Sequence, residues 1–162
     1  MKKGGQIQIS FGMIFSIIII IATVAVGFYV INYFLDLSKC TKIGSFWDSI
    51  DKEVDKAWNG DISQTIFNRE LPSGITHFCF GSLNDIQSED QDTKRIFSEL
   101  RNYGSLEGNS YIYPPGKACD LAFKNIRHAT ADKFFCVPVK SGSISVKLSK
   151  GSFDALVKLS KP

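Results

Sequence analysis

A long uncharged apolar run is the first feature of the hydrophobic pattern. It comprises the 25 residues from Phe11 to Leu35. At about 1.5 Å per residue, a helix of this length crosses a hydrocarbon core of roughly 30 Å with some tilt. Tyr29 and Tyr33 lie near its far end, where amphipathic rings favour the lipid headgroups. The pattern therefore predicts a transmembrane helix over residues 11–35, and the lipid bilayer is the first expected partner.

A second segment with helical periodicity follows, over residues 42–58. Its apolar side chains recur at spacings of three and four, and they are Ile43, Phe46, Trp47, Ile50, Val54, Ala57 and Trp58. This spacing predicts an amphipathic helix with one apolar stripe. Asn59-Gly60 marks its end. Because no proline interrupts residues 11–58, we expect one nearly continuous helix with a bend at Lys39-Cys40-Thr41.

Two surfaces compete for the apolar stripe of this amphipathic helix. It could lie flat on the membrane, or it could pack on a sheet of its own domain. Helices that bind membrane surfaces favour Lys and Arg on the polar face. Here that face also carries Asp48, Asp51 and Asp55, so the pattern favours packing on the sheet.

Beyond Gly60 the apolar spacing shortens to the period of two that is typical of strands. The predicted strands are residues 65–69, 75–80, 110–113, 134–139, 143–148 and 153–159. A turn at residues 149–152 joins the last two into a hairpin, in which Phe153, Ala155, Val157 and Leu159 alternate with polar residues. Residues 71–74 predict another turn. Residues 119–130 are compatible with a strand and a loop or with a short helix.

One short helix is expected among the strands. Asp92 or Thr93 would cap its N-terminus, and Gly104 would end it. The side chains expected to face inward are Ile96, Phe97, Leu100 and Tyr103.

These elements predict an α+β fold: a long N-terminal helix, with a transmembrane half and an amphipathic half, packed on a small antiparallel β-sheet domain. The chain then divides into a basic leader at residues 1–10, the transmembrane helix at 11–35 and a globular α+β domain at 36–162. With 162 residues in all, this leaves room for one modest core.

Charge and composition exclude some classes of function. The formal net charge is +3, and Lys2 and Lys3 of the leader account for most of it. The remainder lacks the clustered positive charge of a nucleic-acid-binding protein, so no nucleic-acid partner is expected. The lysines of the last strands are interpreted as the solvent-exposed face of the hairpin. They are Lys147, Lys158 and Lys161.

The four cysteines indicate an oxidising compartment. An even number of cysteines in a small domain is typical of a disulfide framework outside the cytoplasm. Four cysteines allow three connectivities. Side-chain alternation puts Cys79 and Cys136 opposite the most apolar residues of their strands, which favours a bridge between them and leaves Cys40 and Cys119 as the other pair.

A metal site is the alternative role for the cysteines, together with the two histidines. His77, Cys79, Cys119, His128 and Cys136 are ligand types that zinc accepts. Their spacing contains no C-x-x-C pair, so neither a metal nor another cofactor is expected.

Catalytic and cation-binding patterns are also weak. The sequence has no nucleophile elbow, phosphate-binding glycine loop or metalloprotease helix, so no enzyme activity is expected. Asp85, Glu89, Asp90 and Asp92 cluster in one loop without the order of a calcium loop. Tyr111 and Tyr113 are compatible with a binding surface or with ordinary strand positions.

The N-terminal residues carry a family resemblance. The leader MKKGG followed by Gln6-Ile7-Gln8-Ile9-Ser10-Phe11 and a long apolar helix resembles the class III signal sequence of type IV pilin-like proteins, especially archaeal ones. The resemblance covers about the first third of the chain. It implies cleavage after Gly5, with Gln6 as the new N-terminus, or cleavage after Gly4. Ser10 stands where bacterial pilins carry a glutamate.

A second resemblance is to small archaeal single-span membrane proteins of unassigned function. It rests on the same N-terminus and on Leu71-Pro72 followed by Cys79-Phe80.

The expected function is that of a non-enzymatic, pilin-like, single-pass membrane protein. Its N-terminus would be cytoplasmic, and its domain would lie outside, acting in surface-structure assembly or in contacts with an envelope protein. Self-association would use the apolar helix. The alternative is a monomeric membrane-anchored binding protein. A cleaved secretory signal ending at Ala25-Val26-Gly27 fits less well, because the apolar run continues beyond it.

Overall fold

The computed structural model describes residues 11–60, 63–84, 90–103 and 108–162. The chain divides into two compact units, the residues up to Ser38 and the residues from Lys39 onward. Helix α1, Phe11–Asn59, begins in the first unit and continues into the second. The predicted long helix is therefore confirmed. It stays helical through Lys39-Cys40-Thr41 and ends at the predicted Asn59-Gly60 stop.

The second unit contains two small sheets. Its described strands are β1 Ser63–Glu70, β2 His77–Phe80, β3 Ser110–Tyr113, β4 Phe123–Lys124, β5 Ala129–Thr130, β6 Phe135–Pro138, β7 Ser143–Lys150 and β8 Val157–Ser160. Sheet 1 has the order β1-β7-β8-β5, and sheet 2 has the order β4-β3-β2-β6. All neighbours are antiparallel except β5 and β8, which run parallel. The predicted α+β class is confirmed, with two sheets in place of one.

The second half of α1 packs on these sheets through the predicted apolar stripe. Its buried side chains are Ile43, Phe46, Trp47, Ile50, Val54 and Ala57. The ring of Phe46 meets Phe67 of β1 edge-on with centroids 5.8 Å apart, and it meets Phe78 of β2 at 5.5 Å. Trp58 is only partly buried. The stripe therefore faces the domain's own sheets, as its mixed polar face predicted.

A second helix covers the other side of sheet 2. Helix α2 spans Gln91–Asn102, and it buries Ile96, Phe97 and Leu100. These side chains share a cluster with Cys79, Tyr111, Phe134 and Cys136. Because neighbouring residues of a strand point to opposite faces, Phe78 faces α1 while Cys79 faces α2. Sheet 2 is therefore buried on both faces.

The start and the end of α2 differ from the prediction. Asp90 is the N-cap, in place of Asp92 or Thr93. Its carboxylate accepts hydrogen bonds from Asp92 N at 3.3 Å and from Thr93 Oγ1 at 2.5 Å, so one side chain serves both residues that were expected to cap. Tyr103 is 60% exposed, because the helix ends just before it. Gly104 lies outside the described residues.

The last hairpin also differs from its prediction. β7 and β8 pair as expected, with Leu148 opposite Leu159. However, β8 begins only at Val157, and Phe153 and Ala155 are exposed. Asp154 explains the difference, because its Oδ2 accepts a hydrogen bond from Gly151 N at 2.7 Å and closes a turn over the residues that were predicted to continue the strand.

Residues 119–130 form loops and two short strands, without a helix. Cys119 and Asp120 adopt left-handed conformations, with φ angles of 52° and 59°. Such conformations are uncommon for residues other than glycine, and they require fixed neighbours. The open choice between strand and helix is thereby decided in favour of strands with loops.

Candidate functional site

The first functional feature is the exposed apolar part of α1. All residues from Phe11 to Ser38 are exposed, and within the described residues α1 is the one helix that is long and apolar enough to cross a membrane. The hydroxyl of Ser16 donates to Gly12 O at 2.8 Å, and that of Thr23 donates to Ile20 O at 2.9 Å. Polar groups satisfied within the helix suit a hydrocarbon environment.

Two disulfides form the second feature. Cys79 and Cys136 lie opposite each other on β2 and β6. Cys40 of α1 is joined to Cys119 in the loop after the short 3-10 helix Pro115–Lys117. This is the pairing that the strand alternation favoured. Because the bridges close 57 and 79 residues of chain, the chain-entropy model gives each about 4 kcal/mol of stabilisation when taken alone.

The loop at Cys119 is fastened to α1 at a second point. Trp47 Nε1 donates a hydrogen bond to Leu121 O at 2.9 Å. Two turns of α1 therefore hold this loop, one by a covalent bond and one by a hydrogen bond. This double attachment explains how the left-handed residues Cys119 and Asp120 are kept in place.

The residues considered for a metal site do not form a single group of available ligands. All four cysteine sulfurs are bonded in disulfides, so none is a free thiolate. Among the described residues, no group of three or more His, Cys, Asp or Glu side chains could hold a metal ion. His77 lies beside Tyr113, with ring centroids 6.2 Å apart, while His128 stacks on Trp58 at 3.8 Å. Burial lowers the pKa of His77.

The acidic loop is only partly described. Asp85 and Glu89 lie outside the described residues. Asp90 caps α2, and its hydrogen bond from Thr93 lowers the pKa of its carboxyl group. Asp92 lies 3.6 Å from the guanidinium of Arg95. Both described acids therefore serve the first turn of α2.

Around α2 the structure brings together a set of polar side chains that we call the α2 polar surface. It consists of Asp90, Asp92, Arg95, Glu99, Tyr113 and Lys161. Arg95 lies 3.4 Å from Glu99, and the Tyr113 hydroxyl donates to the same carboxylate, which raises the pKa of the tyrosine. Lys161 of the C-terminus lies 3.3 Å from Asp90. The set offers charges and hydrogen bonds to a partner.

The two tyrosines that were considered for a binding surface have different positions. Tyr111 is 1% exposed and donates its hydroxyl hydrogen to Gly108 O. Tyr113 lies at the α2 polar surface instead. Only Tyr113 is therefore placed to meet a partner.

The lysines of the last strands mostly have partners. Lys158 pairs with Asp132 at 2.5 Å, and Lys161 pairs with Asp90. Lys150 has a role that the sequence did not reveal: its Nζ donates to Trp58 O at 2.5 Å and to Gly60 O at 2.9 Å. It therefore satisfies carbonyls at the C-terminus of α1, which a cation there stabilises.

Gly5 and Gln6, where the leader resemblance places processing, lie outside the described residues. Comparison with protein-family models, curated proteins and solved structures finds no match for the chain. The function is therefore argued from the geometry of the anchor, the disulfides and the exposed surfaces of the domain.

Proposed function

We propose that the protein is a non-enzymatic, pilin-like, single-pass membrane protein. Its domain acts outside the cytoplasm, in assembly of a surface structure or in contacts with an envelope protein. The observation that carries the proposal is the exposure of α1 from Phe11 to Ser38, followed in the same helix by a stripe buried in a domain with two disulfides. An apolar anchor and a stable displayed domain are the two parts that this function needs.

The disulfides support the outside position of the domain. Disulfides persist in oxidising compartments and are rare in the cytoplasm. With the domain outside, the single span places the N-terminus, including Lys2 and Lys3, on the cytoplasmic side. Lys39 and Lys42 follow the other end of the span and offset the charge of Lys2 and Lys3, so the proposed orientation rests on the disulfides.

Support for a non-enzymatic role comes from the residues that could have been reactive. The cysteines are consumed in disulfides. His128 is stacked on Trp58 and contacts Asp55 at 3.2 Å, and His77 Nδ1 contacts Thr76 Oγ1 at 3.0 Å. These contacts hold both histidines in packing roles on different parts of the domain.

Two measurements on cells that produce the full chain test the proposal. The first is the N-terminal residue of the membrane-bound protein: Gln6 supports pilin-type processing, while Met1 or Phe28 contradicts it. The matched variants are Gly5→Leu and Gly4→Leu. If cleavage follows Gly5, as the resemblance implies, only the first should retain the leader.

The second measurement is fractionation after mechanical shearing. A subunit of a surface structure moves to the sheared fraction, and the Gly5→Leu variant should stay in the membrane. If the unaltered protein also stays in the membrane, the assembly role is contradicted. The function is then that of a monomeric anchored binding protein, for which the α2 polar surface is the contact surface to test.

A further inference from the structure

The turn between β7 and β8 exposes an apolar side chain completely. Phe153 is 101% exposed, and Leu156 of the same turn is 40% exposed. We call residues 151–156 the Phe153 turn. Asp154 fixes its shape, because Oδ2 accepts from Gly151 N at 2.7 Å and Asp154 N donates to Gly151 O at 3.1 Å. A fixed turn presents Phe153 at little entropic cost on binding.

A groove with a mostly apolar surface lies where β1 and β7 of sheet 1 meet the end of β6 of sheet 2, and Lys161 and Pro162 also line it. Its lining includes Ile66 of β1, Pro138 at the end of β6, Ser143 and Ser145 of β7, and Lys140. We call it the Ile66 groove. Its volume is about 500 Å³, which admits an aromatic side chain. Ile66 is 63% exposed, although it stands at the centre of an eight-residue strand.

The Phe153 turn follows the end of β7 at Lys150, whereas the Ile66 groove lies along the first half of β7, from Ser143 to the partner of Ile66, Lys147. Lys150, next to the turn, bonds to Trp58 O at the end of α1. Ser143, in the groove, also borders a second cleft together with Lys42 and Ser45 of the first packed turns of α1. Ile66 pairs with Lys147, three residues before Lys150, so the groove begins about 10 Å from the turn along β7. Phe153 is fully exposed, so it does not occupy the groove of its own chain.

Charge complements the apolar match. Asp154 adjoins Phe153 and is exposed, while Lys140 borders the groove and is exposed. The carboxylate of the turn would approach the ammonium group of the groove when Phe153 enters it. Opposite charges across such a contact favour the correct partner and its register.

We propose that the Phe153 turn of one copy docks in the Ile66 groove of a second copy. The contact is heterologous, because each copy offers its turn to one neighbour and its groove to another. Such a contact continues from copy to copy and does not close on a pair. This inference rests on the proposed function and deepens it, since it names the surfaces through which the displayed domains associate.

Site-directed crosslinking of full chains in mixed detergent micelles tests the contact. Ser152→Cys in the turn and Ser145→Cys in the groove keep Phe153 and Ile66 in place; the two variant chains, carrying different tags, are mixed and oxidised with copper phenanthroline. We expect a disulfide-linked dimer that contains both tags. Either variant alone should give little product, because the turn of one copy contacts the groove of another copy and not its turn. The control replaces Ser145→Cys by Lys52→Cys, an exposed position on α1. Absence of the mixed dimer, or equal crosslinking to the control, would overturn the proposal.

Charge reversal supplies an independent readout. Lys140→Asp in the Ser145→Cys chain leaves the turn intact and should lower the crosslinking yield roughly two- to fivefold, as expected of an exposed ion pair. Lys52→Asp in the same chain is the matched control and should leave the yield unchanged. In chains without added cysteines, Phe153→Ser should weaken self-association roughly ten- to a hundredfold. A yield that Lys140→Asp leaves unchanged, or association unchanged by Phe153→Ser, would contradict the docking.

The outcome can be separated from that of the proposed function. If Gln6 is the mature N-terminus and the protein is released by shearing, but no mixed dimer forms, only this contact is wrong. If the mixed dimer forms while Met1 is retained, the domains associate without pilin-type processing.

Discussion

Cys40 and Cys119 are 79 residues apart in the sequence and are joined by a disulfide with their Cα atoms 5.6 Å apart. The bond attaches the loop at residues 118–121 to the first turn of the packed half of α1. Trp47 continues the attachment seven residues further along the helix, through its hydrogen bond to Leu121 O. The packed half of the helix is therefore held by the domain through a covalent bond as well as through its apolar stripe.

Removal of either disulfide should destabilise the domain. We expect the double variants Cys40→Ala/Cys119→Ala and Cys79→Ala/Cys136→Ala to lower the free energy of unfolding by about 2 to 4 kcal/mol each. The second should lose more, because Cys79 and Cys136 are 0% and 2% exposed and their replacement also leaves unfilled core volume. Chemical denaturation of the full chain in detergent micelles measures both. If both double variants were as stable as the unaltered protein, the structural role of the disulfides would be contradicted.

Lys150 should stabilise the end of α1. Replacement by Met removes two charge-assisted hydrogen bonds to Trp58 O and Gly60 O, and we expect a loss of about 1 to 2 kcal/mol in the free energy of unfolding. Lys147→Met is the matched control, since Lys147 lies on the same strand and α1 receives no hydrogen bond from it among the described contacts. If the two variants lose the same stability, the capping role of Lys150 is wrong.

The N-cap of α2 can be tested in the same way. Asp90→Ala should cost about 1 kcal/mol, as is typical for loss of a capping side chain, whereas Asp92→Ala should cost less, because its ion pair with Arg95 is exposed. Hydrogen bonding from Thr93 lowers the pKa of Asp90. Its contribution to stability is therefore present above the ordinary carboxyl pKa, and it is lost as the pH falls through the lowered value. Asp90→Ala should flatten the acid limb of the stability profile; an unchanged limb would refute this assignment.

His77 should cause a second change of stability with pH, at a higher pH than the change caused by Asp90. Burial lowers the pKa of His77 below the ordinary value of 6.5. The positive charges of Arg95 and Lys161 also lower this pKa, whereas the negative charges of Asp92 and Asp90 raise it. The unfolded chain then binds the proton first, so stability falls as the pH drops below 6.5 and stops falling below the folded pKa. NMR titration should place the ring below 6.5. His77→Gln should remove this part of the profile, and a ring that titrates above 6.5 would contradict the burial.

The sequence predicted the elements that depend on local pattern. The apolar run, the stripe from Ile43 to Ala57 and the alternation around Cys79 each follow a regular period, and the structure contains the helix, the packing and the pairing that they favoured.

Other features depend on contacts that no periodicity encodes. The position of the α2 cap was decided by which of three neighbouring polar residues reaches the free N–H groups. The start of β8 was decided by the side chain of Asp154. The bond from Lys150 to Trp58 joins residues 92 positions apart, and the split into two sheets follows from long-range pairing. Tertiary structure sets these features.

The proposed protein is a membrane anchor that bears a disulfide-bonded domain outside the cytoplasm. The most direct test is the number of free thiols in the full chain, trapped in its native membrane with a maleimide carrying polyethylene glycol and then counted by gel shift. The structure predicts no shift without reductant, because all four cysteines are paired, and four additions after reduction. Four additions without reductant would contradict the account and place the domain in the cytoplasm.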